Sequence, residues 1–162
     1  MEGMFANCFS LTTVDLSNFD TSKVTSMAST FYDCHSLTSL NLTNLNTKNV
    51  QTMNKMFFNC YTLPSFEILN FDTSKVTDMT SMFERCTGIT TLDIKSFKPY
   101  NCTLYPKMFY GCSQLTYVNF YNYYENETTN YDNLITQAHI NIKLCIHVKE
   151  LPEYIYLILI IY

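Results

Sequence analysis

Between Val76 and Cys86 the apolar residues fall at steps of three and four: Val76, Met79, Met82, Phe83 and Cys86. That spacing draws one stripe along a helix and predicts a helix of two to three turns. Asp72, Thr73 and Ser74 precede the stripe, and their side-chain oxygens suit a helix start, where N–H groups lack partners. After Cys86 the period shortens. Leu92 and Ile94 flank Asp93, the alternation of a short strand with two inward side chains, and Phe97 returns to the interior. One unit therefore reads as a short strand, a turn, a helix and a return.

The same pattern recurs every 26 residues. Cys8, Cys34, Cys60, Cys86 and Cys112 keep that step, as do Phe5, Phe31, Phe57, Phe83 and Phe109. Further columns run Leu11, Leu37, Leu63, Ile89, Leu115; Val14, Leu40, Phe66, Leu92, Val118; and Leu16, Leu42, Ile68, Ile94, Phe120. The octapeptide NFDTSKVT occurs at Asn18–Thr25 and again at Asn70–Thr77, with a worn copy, NLNTKNVQ, at Asn44–Gln51. A fixed period of 20–50 residues marks a stacked array. One such unit cannot bury its apolar face alone, so neighbours must complete the core and pair their strands in a parallel ladder. The expected fold is an α/β solenoid with one short parallel strand and one short helix per repeat.

Residues 1–120 hold about five repeats, the first truncated, because Met1 and Met4-Phe5 align with Met27 and Thr30-Phe31. A chain that opens partway through a unit, without a capping repeat or a signal peptide, is expected to continue from further repeats upstream. Residues 121–149 read as a polar aromatic loop followed by a degenerate sixth repeat. There Leu134-Ile135 and Ala138 stand at the Met-Phe and Cys positions, and Ile140, Ile142, Leu144, Ile146 and Val148 alternate as a strand. Residues 150–162 end in YIYLILIIY, nine apolar residues that suit a further helix or an edge strand. A membrane helix needs about 20, so no span is expected.

Composition narrows the chemistry. The 162 residues are 47% hydrophobic and 15% charged with a net charge of −4, a globular profile that argues against nucleic acid as a partner. Of seven cysteines five obey the repeat among apolar columns, which predicts small buried space-fillers and no disulfide scaffold. Cys102 stands where Val24, Val50 and Val76 stand. No CxxC or Cys/His cluster suggests zinc, His35, His139 and His147 form no HExxH, and the three scattered glycines build no phosphate loop. No catalytic residue, metal or cofactor is therefore expected. The sequons at Asn41, Asn101 and Asn126 are of a kind that arises by chance in an Asn/Thr-rich chain, and the last is expected to be the accessible one.

Residues between the inward strand positions point outward. Asp15, Asn41, Glu67, Asp93 and Asn119 form one such column, and Thr13, Ser39, Ser65, Thr91 and Tyr117 run beside it. Successive rungs would lie about 4.8 Å apart, giving an acidic, hydroxyl-rich strip. This is the candidate binding face, suited to a basic partner, a sugar or calcium; the competing reading is a solvated face whose polar side chains simply ladder.

The phrases MFANCFSLTTVDLSNFDTSKVTSM at Met4–Met27 and the related run at Met56–Met79 resemble the repeat of BspA-like leucine-rich repeat surface proteins. The resemblance covers about residues 1–120 and lapses at Lys98–Thr103, where the DTSKVT phrase is lost. It implies a leucine-rich-repeat solenoid, a cell-surface or secreted location, and adhesion to or binding of a protein on a host or neighbouring cell. It implies no enzyme and no cofactor. The alternative is an inert spacer within a larger surface protein.

Overall fold

The computed structural model describes residues 1–98, 102, 106–120, 143–146 and 157–160. Six short strands are present: β1 (Thr13–Val14), β2 (Ser39–Leu40), β3 (Thr91–Asp93), β4 (Tyr117–Phe120), β5 (Lys143–Ile146) and β6 (Leu157–Ile160). β1 pairs parallel with β2, and β3, β4, β5 and β6 form a second sheet in that order. The register keeps the sequence period: Thr13 faces Ser39, Leu92 faces Val118, and Val118 faces Leu144. The parallel ladder therefore continues into β5, at positions where the sequence alternation predicts a strand. β6 closes the sheet in the opposite sense, Leu144 facing Leu159, so the apolar terminal segment contributes a strand, not a helix. The expected loop at 121–131, Leu134, Ile135, Ala138, Ile140, Ile142, Val148, two histidines (His139, His147) and the sequons at Asn101 and Asn126 lie outside the described residues.

No α-helix occurs among the described residues, which corrects the expectation of one per repeat. In the second coil, three overlapping turns occupy the place: Thr30 N–H bonds Met27 O (3.3 Å), Tyr32 bonds Ser29 (3.1 Å) and Cys34 bonds Phe31 (3.2 Å). Ser29 and Asp33 have positive φ, 54° and 62°, at the third position of the first and last turn, as a type II turn demands. Four other N–H groups leave the coil: Met27, Ser29, Phe31 and Asp33 donate to Thr52, Asn54, Met56 and Phe58 of the next coil at 2.8–3.0 Å. Coils one, three and four repeat this, with φ near 60° at Gly3 and Asn7, Lys55 and Asn59, Ser81 and Arg85. In a helix those donors would be spent within the segment, and an isolated helix this short is marginal in water. Bonding coil to coil satisfies the same groups and also ties the repeats together. The left-handed residues cost about 1–2 kcal/mol each where they are not Gly, and the intercoil bonds, each worth about 0.5–1.5 kcal/mol net, offset that.

The apolar columns meet inside. Phe5, Phe31, Phe57, Phe83 and Phe109 stack with centroids 5.4–5.6 Å apart and planes within 8° of parallel. Met27, Met53, Met79, Leu37, Leu63, Ile89, Leu42, Ile68 and Ile94 are buried around them. Cys34, Cys60, Cys86 and Cys112 form a free-thiol column in the same core. Each thiol donates to the carbonyl of the Phe one coil earlier, Cys34 to Phe5, Cys60 to Phe31, Cys86 to Phe57 and Cys112 to Phe83, at 2.9–3.2 Å. Cys102 is buried at the valine position, as its alignment predicts.

Candidate functional site

The strand face carries the predicted strip. Thr13, Ser39, Ser65 and Thr91 are exposed and Tyr117 is half-buried; beside them Asp15, Asn41 and Glu67 are exposed, and Asp93 and Asn119 half-buried. Strand pairing sets Thr13 beside Ser39, Thr91 beside Tyr117, and Asp93 beside Asn119. Thr91 Oγ1 donates to Ser65 Oγ at 3.3 Å. The ten residues are thus on one face, but the face is not continuous.

Most of the acidic column holds its own backbone. Asp15 Oδ1 accepts the Ser17 N–H at 2.9 Å, Asn41 Oδ1 the Thr43 N–H at 3.0 Å, and Asp93 Oδ1 the Lys95 N–H at 3.1 Å. These are Asx turns, in which a short side chain bonds the backbone two residues on and bends the chain away from the strand. The Ser17 N–H holds the Asp15 carboxyl below its ordinary value, since a donor favours the charged form. Asp93 also lies 3.4 Å from Lys95 Nζ. Glu67 differs. One methylene longer than Asp, its side chain makes no such turn, and it has no hydrogen-bond or ion-pair partner among the described residues.

Glu67 stands at the break between the sheets. Thr38 N–H bonds Thr12 O (2.9 Å) and Thr116 N–H bonds Thr90 O (2.8 Å). The equivalent donor in the third coil would be residue 64, which is proline and has no N–H; it sits where only strand ends, edges and bulges tolerate it. The carbonyl of Thr38 is left without that bond. Ser65 turns to the fourth coil instead, its Oγ accepting from the N–H groups of Thr90 (3.3 Å) and Thr91 (3.0 Å). A cleft of about 290 Å³ opens between the second and third coils, lined by Thr38–Thr43 and Leu63–Glu67. Its ends are pinned by Thr62 Oγ1 on Leu37 O (3.0 Å) and by Asn70 Nδ2 on the carbonyls of Leu42, Thr43 and Leu45 (3.0–3.2 Å).

A comparison with protein families matches the one described as "Mycoplasma protein of unknown function, DUF285" over residues 1–66 and again over 33–144. The chain belongs to the DUF285 family. No curated protein and no solved structure matches it. The two DUF285 matches overlap across residues 33–66, as alignments sliding along a repeated phrase do.

The edge of the DUF285 repeat opposite the strands explains the octapeptide. Asp20, Asn46 and Asp72 each close an Asx turn on the residue two further on, Ser22, Lys48 and Ser74 (2.9–3.2 Å). By sequence Asp72, Thr73 and Ser74 suit a helix start; instead Asp72 turns the chain. The buried Thr21 hydroxyl donates to Asn46 O (3.1 Å) and accepts Asn46 N–H (2.7 Å), Thr47 does the same with Asp72, and Thr73 accepts Lys98 N–H at 2.7 Å. The threonine of DTSKVT is therefore a brace between coils. Repetition of the threonine was visible in the sequence; its partner 25 residues on was not.

Nothing in this DUF285 chain gathers for catalysis among the described residues. Burial pushes the thiols up, Cys34 to about 11 and Cys112 to about 12, with Cys60 and Cys86 also raised, so they stay protonated and poorly nucleophilic. Half-buried His35 is stacked between Phe9 and Tyr61 (4.8 and 5.4 Å), with Nδ1 3.7 Å from Asp33 Oδ1. Among the described residues no three His, Cys, Asp or Glu side chains are grouped to hold a metal, and no helix is long and apolar enough to cross a membrane. The Asn41 sequon, expected to be inaccessible, is exposed.

Proposed function

We propose that the chain is a leucine-rich-repeat type of solenoid, with a chain of turns in the helix position, that binds a protein ligand through its strand face and serves adhesion at a cell surface or after secretion. The observation that carries this reading is the exposed column Thr13, Ser39, Ser65 and Thr91 beside Asp15, Asn41 and Glu67: repeated polar side chains on an extended face, the surface through which such arrays bind partners. The likeness of the repeat phrase to BspA-like surface proteins supports the location. Catalysis finds no support in any group of described side chains, and no cofactor is required.

A second reading, an inert spacer, has its own support. Asp15, Asn41 and Asp93 are engaged by their own turns, so part of the column serves the fold and needs no ligand to account for it. The two separate by experiment. Beads coated with the chain are tested for retention on cultured animal cells, against beads carrying Thr13→Lys, Ser39→Lys and Glu67→Lys together, with thermal melting to confirm folding. Binding through this face predicts retention of the parent and loss in the triple variant. Equal retention of a folded triple variant removes the face as the site, and no retention of either leaves the spacer.

A further inference from the structure

We propose that the cleft at the sheet break is an anchoring pocket for one arginine side chain of a partner protein. This rests on the protein-binding reading of the strand face and names the group that face would grip.

Three independent features converge there. Pro64 cannot donate to the Thr38 carbonyl, so an acceptor whose equivalents at Thr12 and Thr90 are satisfied stays open in this coil. Glu67 borders the same cleft with its carboxylate uncommitted, whereas Asp15 and Asp93 are engaged by the Ser17 and Lys95 N–H groups. Ser65, on the same wall, commits its Oγ to the Thr90 and Thr91 N–H groups of the fourth coil. The Thr62–Leu37 and Asn70–Leu42 bonds tie the second and third coils together at either end of the cleft.

The pocket's chemistry selects its occupant. A carboxylate and a backbone carbonyl are acceptors, and half-buried Leu40 and Phe66 supply apolar surface. An aliphatic stem ending in several N–H donors fits both: guanidinium offers a planar fork to the Glu67 carboxylate and further N–H groups to Thr38 O. About 290 Å³ lies just below the range of about 300–1,000 Å³ typical of small-molecule sites, so it suits one side chain better than a whole ligand. The chain's net charge of −4 favours approach of a basic group.

The test uses the full chain, labelled with ¹⁵N and titrated with acetyl-Gly-Arg-Gly-amide, with the Leu tripeptide as control. Saturable shifts of the Leu40, Asn41, Phe66 and Glu67 amides are expected with the Arg peptide and not with the Leu peptide. Glu67→Gln should weaken binding by at least about threefold, as loss of a charge-assisted contact does. Pro64→Ser supplies the missing N–H, so it should close the ladder, protect the amide hydrogen gained at position 64 from exchange, and abolish the shifts without loss of fold. Shifts absent with the Arg peptide, or unchanged in folded Glu67→Gln and Pro64→Ser proteins, overturn the pocket. Bead retention lost with Thr13→Lys and Ser39→Lys but unaffected by Pro64→Ser would overturn the pocket while leaving the wider face intact.

Discussion

Cys60 shows how a repeated residue acquires its role. It is fully buried, its thiol donates to Phe31 O at 3.2 Å, and burial raises its pKa. Cys34, Cys86 and Cys112 share that setting, whereas Cys8 in the first coil is half-buried. Peptide mapping after iodoacetamide at pH 8 should find Cys8 modified in the native protein and Cys60, Cys86 and Cys112 modified only after unfolding. The same shifts give a pH dependence. A thiol whose folded pKa lies above its unfolded value adds stability that is intact below the unfolded value and fades as pH rises toward the folded one. Denaturant midpoints should therefore hold steady at neutral pH and fall above about pH 9, where thiols of the unfolded chain ionise; a midpoint flat to about pH 11 would contradict this. Gly88 is a second residue fixed by its neighbours. Gly88→Ala places a methyl group against the Leu63 and Tyr61 carbonyls, and a loss of about 1–3 kcal/mol in denaturant unfolding is expected from the forced backbone shift.

Each turn chain inverts the element that its sequence suggests. Met27, Thr30, Phe31 and Cys34 are buried at steps of three and four, the spacing of a helix face, yet the N–H groups of Ser29 and Phe31 donate to Asn54 and Met56. Apolar spacing records which side chains face inward; it is silent on where the backbone donors go, so the core columns were legible and the helix was not there. The parallel strand and its 26-residue register were legible, because Val14, Leu40 and Leu92 mark inward positions that stack in order. The break at Pro64 had its signal in the sequence, a proline beside strand residues, and emerged only when the neighbouring ladder bonds located the missing donor. At the octapeptide edge, Thr47→Val keeps the shape and deletes both bonds to Asp72. Because an N–H and a carbonyl lose their partner, a loss of about 1–3 kcal/mol is expected by thermal or chemical melting, and none would mean that the brace is idle.

Across the described residues, stability is shared between neighbouring coils, tied by N–H to carbonyl bonds that run to the next coil in the turn chains and back to the earlier coil at Thr38, Thr77 and Thr116, and by a continuous file of phenylalanines. The candidate face was legible as a column of outward positions. Its division into residues held by their own turns and one uncommitted glutamate was not, because it depends on the difference of one methylene between Asp93 and Glu67 and on a proline in one coil only. Everything proposed for function rests on the stacking of like over like. Its most direct test is a set of proton–proton nuclear Overhauser contacts among selectively labelled phenylalanine rings in solution. The account predicts contacts between Phe31 and Phe57 and between Phe57 and Phe83, with none between Phe31 and Phe83. Contacts joining Phe31 directly to Phe83, or none between Phe31 and Phe57, would contradict it.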